Sequence, residues 1–180
     1  EELKKIHHKS KNKELKDGDK ILYIGREYIL KIKKESGVKR PQIVLDESTA
    51  TVILPENRAD QKESVDLKHI LKSWYKEQFK KVAGERIDIY SSKTGTIPVR
   101  VTIREQKTRW GSCSRKGNIN LNWKLITAPL YVLDYVIVHE LSHLKKMNHS
   151  KRFWSLVESI IPDYKAYRKW LKENGHSLGI

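Results

Sequence analysis

The chain of 180 residues holds a single cysteine, Cys113, so no intrachain disulfide can form and a reducing compartment is expected. No apolar run approaches the roughly 20 residues needed to cross a bilayer, so no membrane partner is expected. The stretch EELKKIHHKSKNKELKDGDK at the start has no signal-peptide core, and the expectation that follows is a cytoplasmic protein. No internal repeat, low-complexity linker or glycine-rich phosphate loop is visible. Acidic residues are scarce: 22 Asp and Glu stand against 37 Lys and Arg, for a net charge of +15. Such an excess keeps a chain soluble and attracts polyanions. It reads as a lysine-rich solvated surface or as a surface for nucleic acid. Hydrophobic residues make up 38%, enough at this length to bury a core without staples.

What is present divides along the chain. Residues 1–17 read as a charged extension. ILYIGREYILKIKK alternates apolar and polar residues around Gly25-Arg26-Glu27, which suggests a hairpin. PQIVLDESTATVILPE suggests a second pair of strands around Asp46-Glu47-Ser48, closing a β-rich layer near Pro55. From Asp60 the period becomes helical through Val65, Ile70, Leu71, Trp74, Phe79 and Val82, ending around Gly84. VRVTIREQ and NINLNWKL read as strands, with KTRWGSCSRKG as a basic loop between them. Pro129 suits the first turn of a helix through LYVLDYVIVHELSHLKK. Ser150 can cap a third helix, and Pro162 can start a fourth that Gly175 closes. The order is α+β.

The chemistry sits in His139-Glu140-Leu141-Ser142-His143. Helical residues four apart lie about 40° apart around the axis, so both imidazoles can share one metal. Glu140 is rotated about 100° from His139, beside the ligands, where a base toward water at the metal belongs. Leu130, Leu133, Ile137, Leu141 and Leu144 form one stripe. That stripe should face the core, with the histidines on a separate face beside Val132 and Val136. A catalytic zinc takes three protein ligands and keeps one position open. His149 follows six residues after His143, and a turn at Asn148 could bring it back. Three imidazoles favour zinc, one per chain, among several divalent ions that would bind. His7, His8, His69 and His176 have no partner at ligand spacing; His176 is the reserve ligand.

RWGSCSRKGNINLNWKLITAP followed by VIVHELSHLKKMNHSKRFW closely resembles the YgjP-like metallopeptidase family, related to the SprT-like and WLM zinc proteases. The resemblance runs from about Gly18 to Asn174. It implies a zincin-like α+β fold: an N-terminal β-rich layer, then a small mixed or antiparallel sheet packed with the HExxH helix and further C-terminal helices. Residues 18–180 are then expected as one domain, with 18–60 the β-rich part and 61–180 the catalytic core. The family pattern places metal ligands on His139, His143 and His149 and the base on Glu140. Its hallmark residues also match at Arg109-Trp110-Gly111-Ser112-Cys113 and Asn120-Leu121-Asn122-Trp123. Lys145 stands where zincins expect an apolar residue. Arg109, Asn120 and Asn122 are candidates for binding substrate, although an ion pair would equally account for Arg109. Trp110, Trp123 and Cys113 read as packing residues, and Phe153 and Trp154 as seating the third helix on the metal helix.

A zinc peptidase acting on a peptide or protein is the resulting expectation. The resemblance implies that a strand antiparallel to the substrate lies above the metal, and NINLNWKL, with a free backbone edge, is placed to be it. Two alternatives stand beside it. A nucleoside-triphosphate pyrophosphatase would use Lys145, Lys146, Lys151 and Arg152 near the metal. A DNA-associated protease would use the basic surface, with a salt-dependent affinity.

Overall fold

The computed structural model describes residues 14–56 and 66–180. His7, His8, most of the charged extension and the expected helix start at Asp60–Val65 lie outside the described residues.

The first sheet has four strands in the order β1-β2-β4-β3: β1 Lys20–Tyr23, β2 Arg26–Glu35, β3 Gln42–Leu45 and β4 Thr49–Pro55. Both expected hairpins form, each antiparallel, and β2 joins β4 in parallel. The first turn lies at Ile24-Gly25, with φ of 48° and 73°, the two positive angles a type I′ turn demands. Isoleucine is rare in that region. Here its N–H donates to the Ile126 carbonyl, and a Cβ on Gly25 would sit 2.8 Å from Cα of Pro129. The hairpin tip is thereby wedged against the segment that leads into the metal helix.

Helix α1 spans Leu67–Thr94 and runs ten residues past the expected stop at Gly84. The reason is a continuing buried stripe: Leu71, Tyr75, Phe79, Ala83, Ile87, Tyr90 and Thr94. One glycine on the exposed side of a helix costs about 1 kcal/mol, which that stripe outweighs. The stop falls at Gly95, in the left-handed conformation, whose N–H bonds to the Ser91 carbonyl. Tyr75 ties α1 to the first sheet by donating to the Leu22 carbonyl.

The second sheet has three strands in the order β5-β7-β6: β5 Arg100–Arg104, β6 Gly111–Cys113 and β7 Asn118–Asn122. Two expectations are corrected here. The basic loop contains a strand, β6, whose three residues are too short to show a period. NINLNWKL has no free edge, because β7 is central, parallel to β5 and antiparallel to β6. It also ends at Asn122, where Asn122 accepts from the Lys124 N–H and turns the chain into a 3-10 segment, Trp123–Thr127.

Three helices follow: α2 Leu130–His143, α3 Lys151–Ile160 and α4 Tyr164–Asn174. Ser150 caps α3, as its sequence suggests, by accepting from the Phe153 N–H. Gly175 follows α4 in a right-handed conformation, so its glycine is not required for a left-handed cap. A Cβ there would lie 2.8 Å from the Trp110 ring, so the position is small because an indole covers it. No helix among the described residues is long and apolar enough to cross a membrane.

Candidate metal centre

Helix α2 is buried almost all round. Val132 and Val136 are as buried as Leu133, Ile137 and Leu141, so the expected division into a core side and a site side does not hold. The α2 helix is instead enclosed by α1, the second sheet, α3 and α4. One polar clamp fixes it: Arg86 on α1 grips the Asp134 carboxylate with Nε and Nη2, each at 2.6 Å. That bidentate pair, beside the Tyr90 hydroxyl, raises the Arg86 pKa.

His139, His143 and His149 come together. Nε2 of His139 lies 3.2 Å from Nε2 of His143 and 3.1 Å from Nε2 of His149. All three ligand atoms fall within 4.8 Å of one another. Tetrahedral zinc with Zn–N bonds near 2.05 Å holds its nitrogens about 3.3 Å apart, close to these separations. The turn after α2 does two things. Its Lys146 carbonyl faces Nδ1 of His143 at 3.1 Å; a proton on Nδ1 leaves the Nε2 lone pair aimed into the cluster. It also returns the chain so that His149 reaches the two helical histidines.

Helix α3 supplies the floor. The Phe153 ring stacks on His143 at 4.5 Å and meets His139 and His149 edge-on, each at 4.9 Å. Trp154 stacks on His149 and on Tyr164, with the Arg168 guanidinium over its ring at 5.0 Å. The expected seating by Phe153 and Trp154 is thus present. The Tyr164 and Arg168 layers of α4 carry no ligand-type spacing and were not readable in the sequence.

Burial pushes the His139 imidazole down to about 3, with His143 and His149 adding to the effect, and it also lowers His143. The His139 ring is therefore neutral, the state in which imidazole donates to a metal. A proton on His139 Nε2 could serve only one of its two neighbours, whereas a divalent cation satisfies all three. Glu140 is buried, and burial pushes its carboxyl up to about 8. Its Oε2 has no hydrogen-bond partner among the described residues. Its other oxygen lies against Gly111 of β6: a Cβ there would come within 2.5 Å of Oε1. The three imidazoles and this unpartnered carboxyl fit a cation with water beside it.

The remaining candidates are placed elsewhere. Gly111, facing Glu140, is in register with Leu121, so Ser112 and its partner Asn120 point to the opposite face. Asn120 donates to the Ser112 hydroxyl. Asn122 is 1% exposed and donates to the carbonyls of Gln106 and Arg109. Its amide holds the β5–β6 connection. Arg109 is exposed in a crevice with His176 and Lys172, and among the described residues His176 is not part of the histidine cluster. Trp123 is core, Trp110 covers Gly175, and Cys113 is half-buried beside Glu140, which with burial raises its thiol pKa. Lys145, Lys146, Lys151 and Arg152 are exposed. The Lys145 ammonium lies against Gly95, at the C-terminal end of α1.

No curated protein matches the chain in sequence. Among solved structures, it is similar to the metallopeptidase zymogen abylysin of Pyrococcus abyssi, with 26% identity and a TM-score of 0.47 over 54% of this chain and 99% of that one. It is also similar to the zymogen jannalysin of Methanocaldococcus jannaschii, with 21% identity and a TM-score of 0.41 over 52% and 85%. The family model described as YgjP-like, metallopeptidase domain matches residues 1–174, and the chain belongs to that metallopeptidase family.

Proposed function

We propose that the protein is a zinc-dependent peptidase in which His139, His143 and His149 hold one ion per chain and Glu140 is the general base. The observation that carries this reading is the convergence of three imidazole nitrogens beside a desolvated, unpartnered carboxyl. Three imidazole nitrogen donors with an open fourth position suit zinc. When bound, the ion supplies Lewis acidity toward the scissile carbonyl and toward water. Glu140 takes the proton of that water at Oε2 and later returns it to the leaving amine. Phe153, and the valines around His139, keep bulk solvent from the inner side of the site.

Peptide alignment falls to β6. It is the edge strand on the metal side, and its Gly111 backbone touches the base. Trp110 and Ser114 direct their backbone bonds toward β7. The alternation leaves N–H and C=O groups of Gly111 and Cys113 on the open edge. An extended peptide adding there passes over Glu140. Edge pairing recognises main chain, so the substrate is an unstructured segment of a peptide or protein. Residues 18–180 are read as one unit, and the lone cysteine suits a reducing, cytoplasmic setting.

The test is activity profiling of the zinc-loaded protein on peptide libraries and nucleoside triphosphates, with Glu140→Gln as control. Peptide cleavage should fall by about 10²–10⁴-fold or more in the variant, with zinc retained. Nucleotide turnover with peptides untouched would replace the peptidase by the pyrophosphatase. Contact with nucleic acid rests on the +15 charge; it requires DNA affinity that falls steeply with salt.

A further inference from the structure

The second sheet has another open edge, on the side away from β6. Strand β5 ends the order β5-β7-β6, and it borders a groove of ≈ 1020 Å³ shared with the C-terminal half of α1. Apolar residues recur at every second position along this segment: Ile97, Val99, Val101 and Ile103. Ile97 is 86% and Val99 78% exposed, unlike any other pair of neighbouring aliphatic residues described. Val101 is in register with the buried Ile119, so this row faces the helix side. Across the groove α1 presents the small residues Ala83, Gly84 and Ser91 among Lys80, Ile87 and Asp88, leaving width for guest side chains beside the small ones.

The backbone of this edge is open as well. The Val99 N–H donates to the Gly117 carbonyl, which directs the amides of 99, 101 and 103 toward β7. The strand period of two then turns N–H and C=O of Arg100, Thr102 and Arg104 outward. Arg100 and Arg104 are exposed, lie on the face opposite the apolar row, and have no acidic partner among the described residues.

Charge decides the occupant. A second copy pairing antiparallel about Thr102 would set Arg100 of each chain opposite Arg104 of the other. Like charges directly opposed are destabilising, and two chains of charge +15 repel in addition. A strand with carboxylates on one face and aliphatic side chains on the other meets both rows. We propose that β5 and the α1 groove form a docking site, separate from the histidine cluster, for an extended acidic–aliphatic segment of a partner protein, bound by β-addition.

The test uses a fluorescein-labelled synthetic decapeptide alternating glutamate and valine, titrated into the full chain and read by fluorescence anisotropy. Saturable binding is expected, with slowed hydrogen exchange at Arg100, Thr102 and Arg104. Arg100→Glu with Arg104→Glu should weaken it by about tenfold or more. Thr102→Pro, which removes an outward amide and leaves the β7 ladder intact, should do the same. A lysine–valine decapeptide should not bind. Absence of saturable binding at millimolar protein, equal binding of the lysine peptide, or indifference to the arginine reversal would overturn the proposal. So would an arginine-dependent dimer of the free chain in sedimentation. Should Thr102→Pro unfold the protein, the exchange pattern of the unsubstituted chain decides.

Discussion

Gly111→Ala isolates the relation between β6 and the proposed base. A Cβ built on Gly111 stands 2.5 Å from Oε1, 2.7 Å from Cγ and 2.8 Å from Cδ of Glu140. Ordinary contact at such atoms requires about 3.5 Å, so roughly 1 Å of movement must be found. The backbone of β6 is held by β7 on its paired edge, while the end of the Glu140 side chain can rotate. The carboxyl therefore moves and the strand stays. A base works within a hydrogen-bond reach of about 2.6–3.2 Å, and a 1 Å misplacement costs on the order of 10²-fold in rate. The expected result is a fall of about 10²-fold in kcat/KM for peptides. Zinc content by mass spectrometry should be unchanged and thermal stability nearly so, because the three histidines are not displaced. Activity within threefold of the parent, with alanine at 111 confirmed, would refute the idea that Gly111 sets the position of Glu140. Loss of zinc together with activity would refute the division of labour between Glu140 and the histidines.

His149→Ala should leave two ligands and strip zinc under competition with a chelator that the parent resists, read by metal analysis; unchanged affinity would remove His149 from the site. Asp134→Ala leaves Arg86 without its carboxylate in a partly buried place, at a cost of about 3 kcal/mol, or roughly 6–12 °C in Tm for a chain of this length, and calorimetry showing less than 1 °C would deny the clamp. The Asp46 carboxyl, held down to about 2 by the Thr49 hydroxyl and the Ser48 and Thr49 amides, contributes stability present above the ordinary carboxylate value and lost as pH falls toward 2. Carbon-detected titration should find it there, and Thr49→Ala should move it up; a value near 4 in the parent would contradict the hydrogen bonds.

The two hairpins of the first sheet were legible because alternation and turn residues are local signals read over a few positions. So was the histidine cluster: a four-residue helical spacing fixes two imidazoles on one side whatever the helix packs against, and the six-residue spacing with a turn at Asn148 let His149 return to them. The length of α1 was not legible at Gly84, since a glycine's local cost cannot be weighed against a buried stripe whose partners lie elsewhere in the chain. The position of β7 was misjudged for a related reason. Strand order depends on which segments meet, and the three residues of β6 carry no period of their own. Asn120 and Asn122 were candidates for binding substrate because they match the hallmark strand of the family. Pairing with β6 turned them to the other face, and the Asn122 amide is occupied by two carbonyls. By itself, then, the sequence determined the chemistry available, namely three imidazoles, a carboxyl and an excess of cations, because side-chain chemistry and helical periodicity travel with the chain. Only the tertiary structure decided that the carboxyl is desolvated, that Gly111 sits against it, and which strand edges are open. Burial and edge exposure are properties of what surrounds a residue, and the surroundings come from segments distant in sequence.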